Sequence, residues 1–181
     1  MMQNCTKKLA FEFNNSTDAL IASLEYMLGQ ISGGLPVHSD TEDILFRCKI
    51  IITELLTNAI KHAGPGSTFF DIETDDLKLV IQKTDKGAPL YLINTHHHSA
   101  EEVAVNKKLI SADPLNSLYA AWEDHECIRF MCEESTLDDF LSVEQVMEHF
   151  GILIITRSSD EFTYTYKKDT QSNIFRVRID F

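Results

Sequence analysis

The stretch TELLTNAIKHAG, residues 53–64, carries Glu54, Asn58, Lys61 and His62 at i, i+4, i+7 and i+8. On a helix these positions share one side. They offer a carboxylate, an amide oxygen, a cation and an imidazole. Magnesium takes hard oxygen ligands and phosphate attracts positive charge, so the set has the make-up of a Mg²⁺–phosphate site. Glu54 could also take the proton of an attacking hydroxyl or water. The same spacing suits the solvated side of an ordinary amphipathic helix, and both readings stand at this point.

A second candidate is TDKGAP, residues 84–89. A carboxylate at Asp85, held on a rigid turn, can accept the exocyclic amine of an adenine, and Gly87 lets a ring approach the backbone. An Asp-Gly surface turn is the plain alternative.

The elements that must carry these residues are legible around them. Ser39 and Glu42 read as a capping box opening a helix. Ile44, Leu45, Cys48, Ile51, Ile52, Leu55, Leu56 and Ala59 recur at helical spacing as a broad apolar stripe, and Gly64-Pro65-Gly66 ends it. Residues 68–74 and 77–83 read as two strands joined by a tight Asp75-Asp76 hairpin, which would deliver Asp85 to the turn after the second strand. Upstream, KLAFEFN alternates as a strand, followed by a helix capped by Ser16 or Thr17 and running to about Gln30. Downstream, helices are expected over 99–110, from Asp113-Pro114 to about Ala121, and over 137–149, with a strand at 126–132. Phe162, Tyr164 and Tyr166, then Phe175, Val177, Ile179 and Phe181, alternate with polar residues and predict a closing hairpin.

In this order the motifs resemble the GHKL (histidine kinase-like, Bergerat-fold) ATPases. TELLTNAIKHAG looks like their N box, E-L-x-x-N-A-x-x-H-A, and TDKGAP like their G1 box, D-x-G-x-P. The resemblance covers about residues 7–90 well and 150–181 loosely. It implies ATP and Mg²⁺ as cofactors, Asn58 as the metal ligand, Glu54 as general base, Asp85 on the adenine amine, and Lys61, His62 and Gly87 bordering the nucleotide. Within the family, the chain is similar to the anti-sigma-factor serine/threonine kinases, which phosphorylate an antagonist protein, sequester a sigma factor and are usually homodimers. No H-E-x-x-x-P phosphoacceptor helix of a sensor histidine kinase is found. The chain departs from the family at the G2 box, G-x-G-L-G-L. Its best counterpart here, EHFGILIIT, has Gly151 alone, and its β-branched residues favour strand over helix. A degenerate, non-catalytic module that acts by binding proteins is therefore the second reading.

The fold this implies is an α/β (α+β) two-layer sandwich, with a mixed, mostly antiparallel sheet and helices on one face. The 181 residues suit one domain, with an atypical inserted lid segment at about 91–150. A net charge of −12 would repel a phosphate backbone and makes nucleic acid a poor partner, whereas one local pocket of amides and a lysine can still hold a nucleotide. Cysteines at 5, 48, 127 and 132 form no CxxC pair, so zinc is disfavoured, and Cys127 and Cys132 fall on opposite faces of a strand. His96-His97-His98 reads as a polar lid tip rather than a metal site. Absence of a membrane-length apolar run and of a secretory signal fits a cytoplasmic location.

Overall fold

The computed structural model describes residues 6–37, 39–64, 66–90, 107–112, 114–124, 126–134 and 149–181. Eight strands run through them: β1 Lys7–Phe13, β2 Thr68–Thr74, β3 Lys78–Lys86, β4 Lys107–Ala112, β5 Asn116–Trp122, β6 Cys127–Glu134, β7 Glu161–Lys167 and β8 Ser172–Asp180. The α-helices among these residues are α1 Leu20–Ser32, α2 Thr41–His62 and α3 Phe150–Arg157.

The strands form one sheet in the order β1-β2-β3-β8-β7-β6-β5-β4. Two meanders, β1–β3 and β4–β6, are joined through the C-terminal hairpin β7–β8, which lies between them. Every pairing is antiparallel, so the expected mixed sheet is corrected to an antiparallel one. The reason is topological: the last strand enters between β3 and β7 running against both, and no parallel crossover is needed.

Side-chain alternation explains the layering. In β2, Thr68, Phe70, Ile72 and Thr74 are buried while Phe69, Asp71 and Glu73 are exposed. The inward row continues through Leu79 and Ile81 of β3, Val177 and Ile179 of β8, Phe162 and Tyr164 of β7, and Ile128 and Phe130 of β6. These residues share one core with Leu24, Met27 and Ile31 of α1 and with the whole apolar stripe of α2 apart from the half-buried Leu45. Each fully buried aliphatic side chain contributes about 1.5–3 kcal/mol, so α2, with Ile51, Ile52, Leu55 and Leu56 all buried, is firmly seated.

Several local expectations are corrected. Asp40, not Ser39, caps α2: its carboxylate accepts from the Asp43 amide at 3.1 Å, while the Ser39 hydroxyl donates to Pro36 O at 2.7 Å. Ser16 makes no side-chain cap; one 3-10 turn, Thr17–Ala19, precedes α1. The helix expected at 99–110 is strand over 107–110, and its earlier part lies outside the described residues. The helix expected from Asp113-Pro114 to Ala121 is instead β5. Leu118, Ala120 and Trp122 pair with Cys132, Phe130 and Ile128, so sheet partners overrode the local helix signals. The helix expected at 137–149 lies outside the described residues except for His149, which flanks α3. Conversely, the β-branched run after Gly151 is helical, with Leu153 and Ile155 buried against the core. No helix among the described residues is long and apolar enough to cross a membrane.

Candidate functional site

The C-terminal half of α2, the ends of β3 and β8, and the start of α3 meet around one cavity of about 350 Å³. Among its lining residues are Asn58 and His62 of α2, Asp85 of β3, and Gly151 of α3. Residues from three separate stretches of sequence thus face the same space. Its apolar wall comes from Ala88, Pro89, Leu90, Ile152 and Phe175. The volume lies at the lower end of the range of ligand pockets, roughly 300–1,000 Å³, and a mainly apolar wall with a few polar groups is their usual make-up.

Helix geometry sorts the α2 residues. Each i to i+4 step turns the side chain by about 40° around the axis, so Glu54, Asn58 and His62 wind progressively toward the buried stripe. Lys61, at i+7, swings back by about 20° from Glu54 and is exposed, apart from the cavity's described lining. Glu54 also stands off the lining but touches its edge: a β-carbon placed on Gly151 would lie 2.8 Å from Glu54 Oε2. Gly87 is not among the lining residues, and a β-carbon placed on it would meet His62 O at 3.2 Å and Asn173 Nδ2 at 3.4 Å.

Asp85 is not on a turn. β3 extends to Lys86, and Asp85 pairs with Asn173 of β8, so strand pairing rather than a loop fixes the carboxylate. Its side chain is 4% exposed and both oxygens are engaged. Oδ2 accepts from Lys83 Nζ at 2.5 Å, and Oδ1 accepts from Asn173 Nδ2 at 3.0 Å. Asn173 Nδ2 also donates to Ala88 O at 3.3 Å, while its Oδ1 accepts from the Tyr164 hydroxyl at 2.7 Å. That hydroxyl in turn accepts from the Leu90 amide at 2.8 Å. Burial pushes the Tyr164 phenol up to about 12, which keeps it a donor. The Lys83 ammonium, 2% exposed, lies 4.6 Å from the centre of the Phe175 ring. Burial drives Lys83 below the ordinary lysine range, against the opposing pull of Asp85.

The sequence reading missed Lys83, Tyr164, His149, Asn173 and Phe175 as parts of this site. A signal existed for Lys83. It continues the inward row Leu79, Ile81, and a charge at an inward position of a strand demands a partner. None existed for Asn173, which meets Asp85 only because β8 docks on β3.

The described residues contain no cluster of three or more His, Cys, Asp or Glu side chains able to hold a metal. Cys127 and Cys132 lie apart on β6, the former bonded to Glu123 and the latter to Asn116. The triple histidine at 96–98 and His125 lie outside the described residues. Sequence searches match no protein-family profile and no curated protein. The described residues thus form an α+β fold in which eight antiparallel strands carry their helices over one face, with a cavity where α2, β3, β8 and α3 converge.

Proposed function

We propose that this chain is a GHKL-type (Bergerat-fold) domain that binds ATP with Mg²⁺ and acts as a protein serine/threonine kinase of the anti-sigma regulatory kind. The observation that carries this is the meeting of Asn58, Asp85 and Gly151 at one cavity, because Asn58 and Asp85 match the N and G1 boxes and Gly151 is the single glycine in the place of the G2 box. Asn58 offers a hard amide oxygen for Mg²⁺, and Asp85 an acceptor for an amine. Bound ATP would supply the phosphoryl group and Mg²⁺ would neutralise its charge. Glu54, beside the first turn of α3, would take the proton of the acceptor hydroxyl. His62 lines the same space, whereas Lys61 is not among the lining residues. An antagonist protein as substrate, a sigma factor as partner and a homodimer follow from the family resemblance alone.

A non-catalytic, protein-binding module is the second reading, and two observations favour it. Both oxygens of Asp85 already hold partners within the chain. Gly151 is followed by Ile152, which lines the cavity and whose bulk hinders phosphates from reaching the first amides of α3.

Calorimetry with ATP and ADP, with and without Mg²⁺, on wild type and Asn58→Ala tests the proposal. Mg²⁺-dependent binding lost in Asn58→Ala supports the nucleotide site. No binding by wild type would reject it in favour of the docking module.

A further inference from the structure

An inward lysine on β3 is costly. Burial disfavours its charge, and one carboxylate must offset that. Leu79 and Ile81 show that the same row accepts apolar side chains, so packing alone does not call for an ammonium at Lys83. Lys83 lines the candidate cavity together with Asp85. An ammonium has three hydrogens to donate and a carboxylate about four acceptor sites. One hydrogen goes to Asp85, and Asp85 uses one site for Lys83 and one for Asn173. Each group therefore has capacity to spare where it meets the cavity. The pair is also rigid: Asn173 is oriented by the Tyr164 hydroxyl and by Ala88 O, and so holds the carboxylate in one setting.

Building on the nucleotide reading above, we propose that Lys83 and Asp85 together read the base. Asp85 accepts from an exocyclic amine, and Lys83 donates to the adjacent ring nitrogen. The cavity then takes a 6-aminopurine, whose edge presents a donor beside an acceptor. It rejects a 6-oxopurine, whose edge has the two reversed and would set a carbonyl oxygen against the Asp85 carboxylate. Lys83 is thus a specificity-determining residue, and one that the motif comparison does not supply.

The test is calorimetry on the full chain in Mg²⁺ with ATP, 1-deaza-ATP, 7-deaza-ATP and inosine triphosphate. Replacing ring nitrogen 1 by C–H removes only the acceptor that Lys83 would use. We expect 1-deaza-ATP and inosine triphosphate to bind about 10- to 100-fold more weakly than ATP, and 7-deaza-ATP to match ATP. In Lys83→Met the ratio between ATP and 1-deaza-ATP should fall toward one. If that variant does not fold, the wild-type comparison of 1-deaza-ATP with 7-deaza-ATP decides the inference by itself. Equal binding of ATP and 1-deaza-ATP by wild type would overturn the inference while leaving the nucleotide site intact. So would an equal loss with 7-deaza-ATP, or discrimination that survives in folded Lys83→Met. Failure of wild type to bind ATP at all would reject the nucleotide reading, and this inference with it.

Discussion

Gly151 faces Glu54 with no room for a side chain between them: a β-carbon on the glycine would stand 2.8 Å from Glu54 Oε2 and 3.8 Å from Asn58 Nδ2. The first turn of α3 therefore rests on the very side of α2 that carries the candidate-site residues. What Gly151→Ala would displace is the far end of a flexible side chain, and alanine gains about 1 kcal/mol of helix propensity over glycine. The variant should fold with stability within about 1 kcal/mol of wild type in urea. Gly64→Ala should behave oppositely. Its β-carbon would fall 2.5 Å from the backbone oxygen of Lys86, which Gly64 N already binds at 2.6 Å. A loss of about 1–3 kcal/mol is expected there. Similar losses in the two variants would mean that Glu54 cannot move away from α3.

The Lys83–Asp85 pair predicts non-additivity. With side chains only 2% and 4% exposed, removing one partner strands a charge in the core. Lys83→Met should cost about 3–5 kcal/mol. Adding Asp85→Asn should recover a large part of that loss, because no buried charge then remains unpaired. Urea unfolding of the two variants measures this, and a double variant less stable than the single one would contradict it.

Kinetics should separate Glu54 from Asn58. On the proposed chemistry, Glu54→Ala keeps nucleotide affinity close to wild type and lowers phosphoryl transfer by about 10²–10⁴-fold. Asn58→Ala abolishes the Mg²⁺ dependence of binding. A demonstrated kinase activity unaffected by Glu54→Ala would remove Glu54 from the role of base.

Arg47 joins α2 to the segment after α3. It donates to Ser158 O at 2.9 Å and to Asp160 Oδ2 at 2.6 Å, and the Asp180 amide binds that same oxygen at 2.9 Å. Burial acts to raise the Asp160 carboxyl, but the Asp180 amide and Arg47 outweigh it and hold the group below its ordinary 3.8. A carboxyl depressed in the folded state contributes stability above its unfolded value, and that contribution is lost as pH falls through the folded value. Melting curves of wild type and Asp160→Asn should therefore differ at pH 7 and converge below about pH 3.8. The exposure of the pair keeps the difference at neutral pH small, on the order of 0.2–1 kcal/mol. A gap that widens on acidification would reverse the assigned sign.

The helix α2 was legible in the sequence because its apolar residues repeat at 3.6 and its polar residues fall between them; no partner was needed to read either. The alternating strands β1, β2, β7 and β8 were legible for the same local reason, with period two. At β4 and β5 local signals misled. Ser99 and Asp113-Pro114 resemble helix starts, but Leu118 and Ala120 are buried only through their pairing with β6 and their packing in the core.

The sequence alone therefore determined which residues could do chemistry on α2, but it set Asp85 on a turn after a strand, where the structure has it paired within β3. Only the tertiary structure decided which of them share a cavity. It set Lys61 aside, put Gly151 against Glu54, and bound Asp85 to Lys83 and to Asn173, 88 residues away in the chain. Periodicity is written in neighbouring residues, but a site is made where distant strands and helices close on one another, and that closure depends on the packing of the whole core.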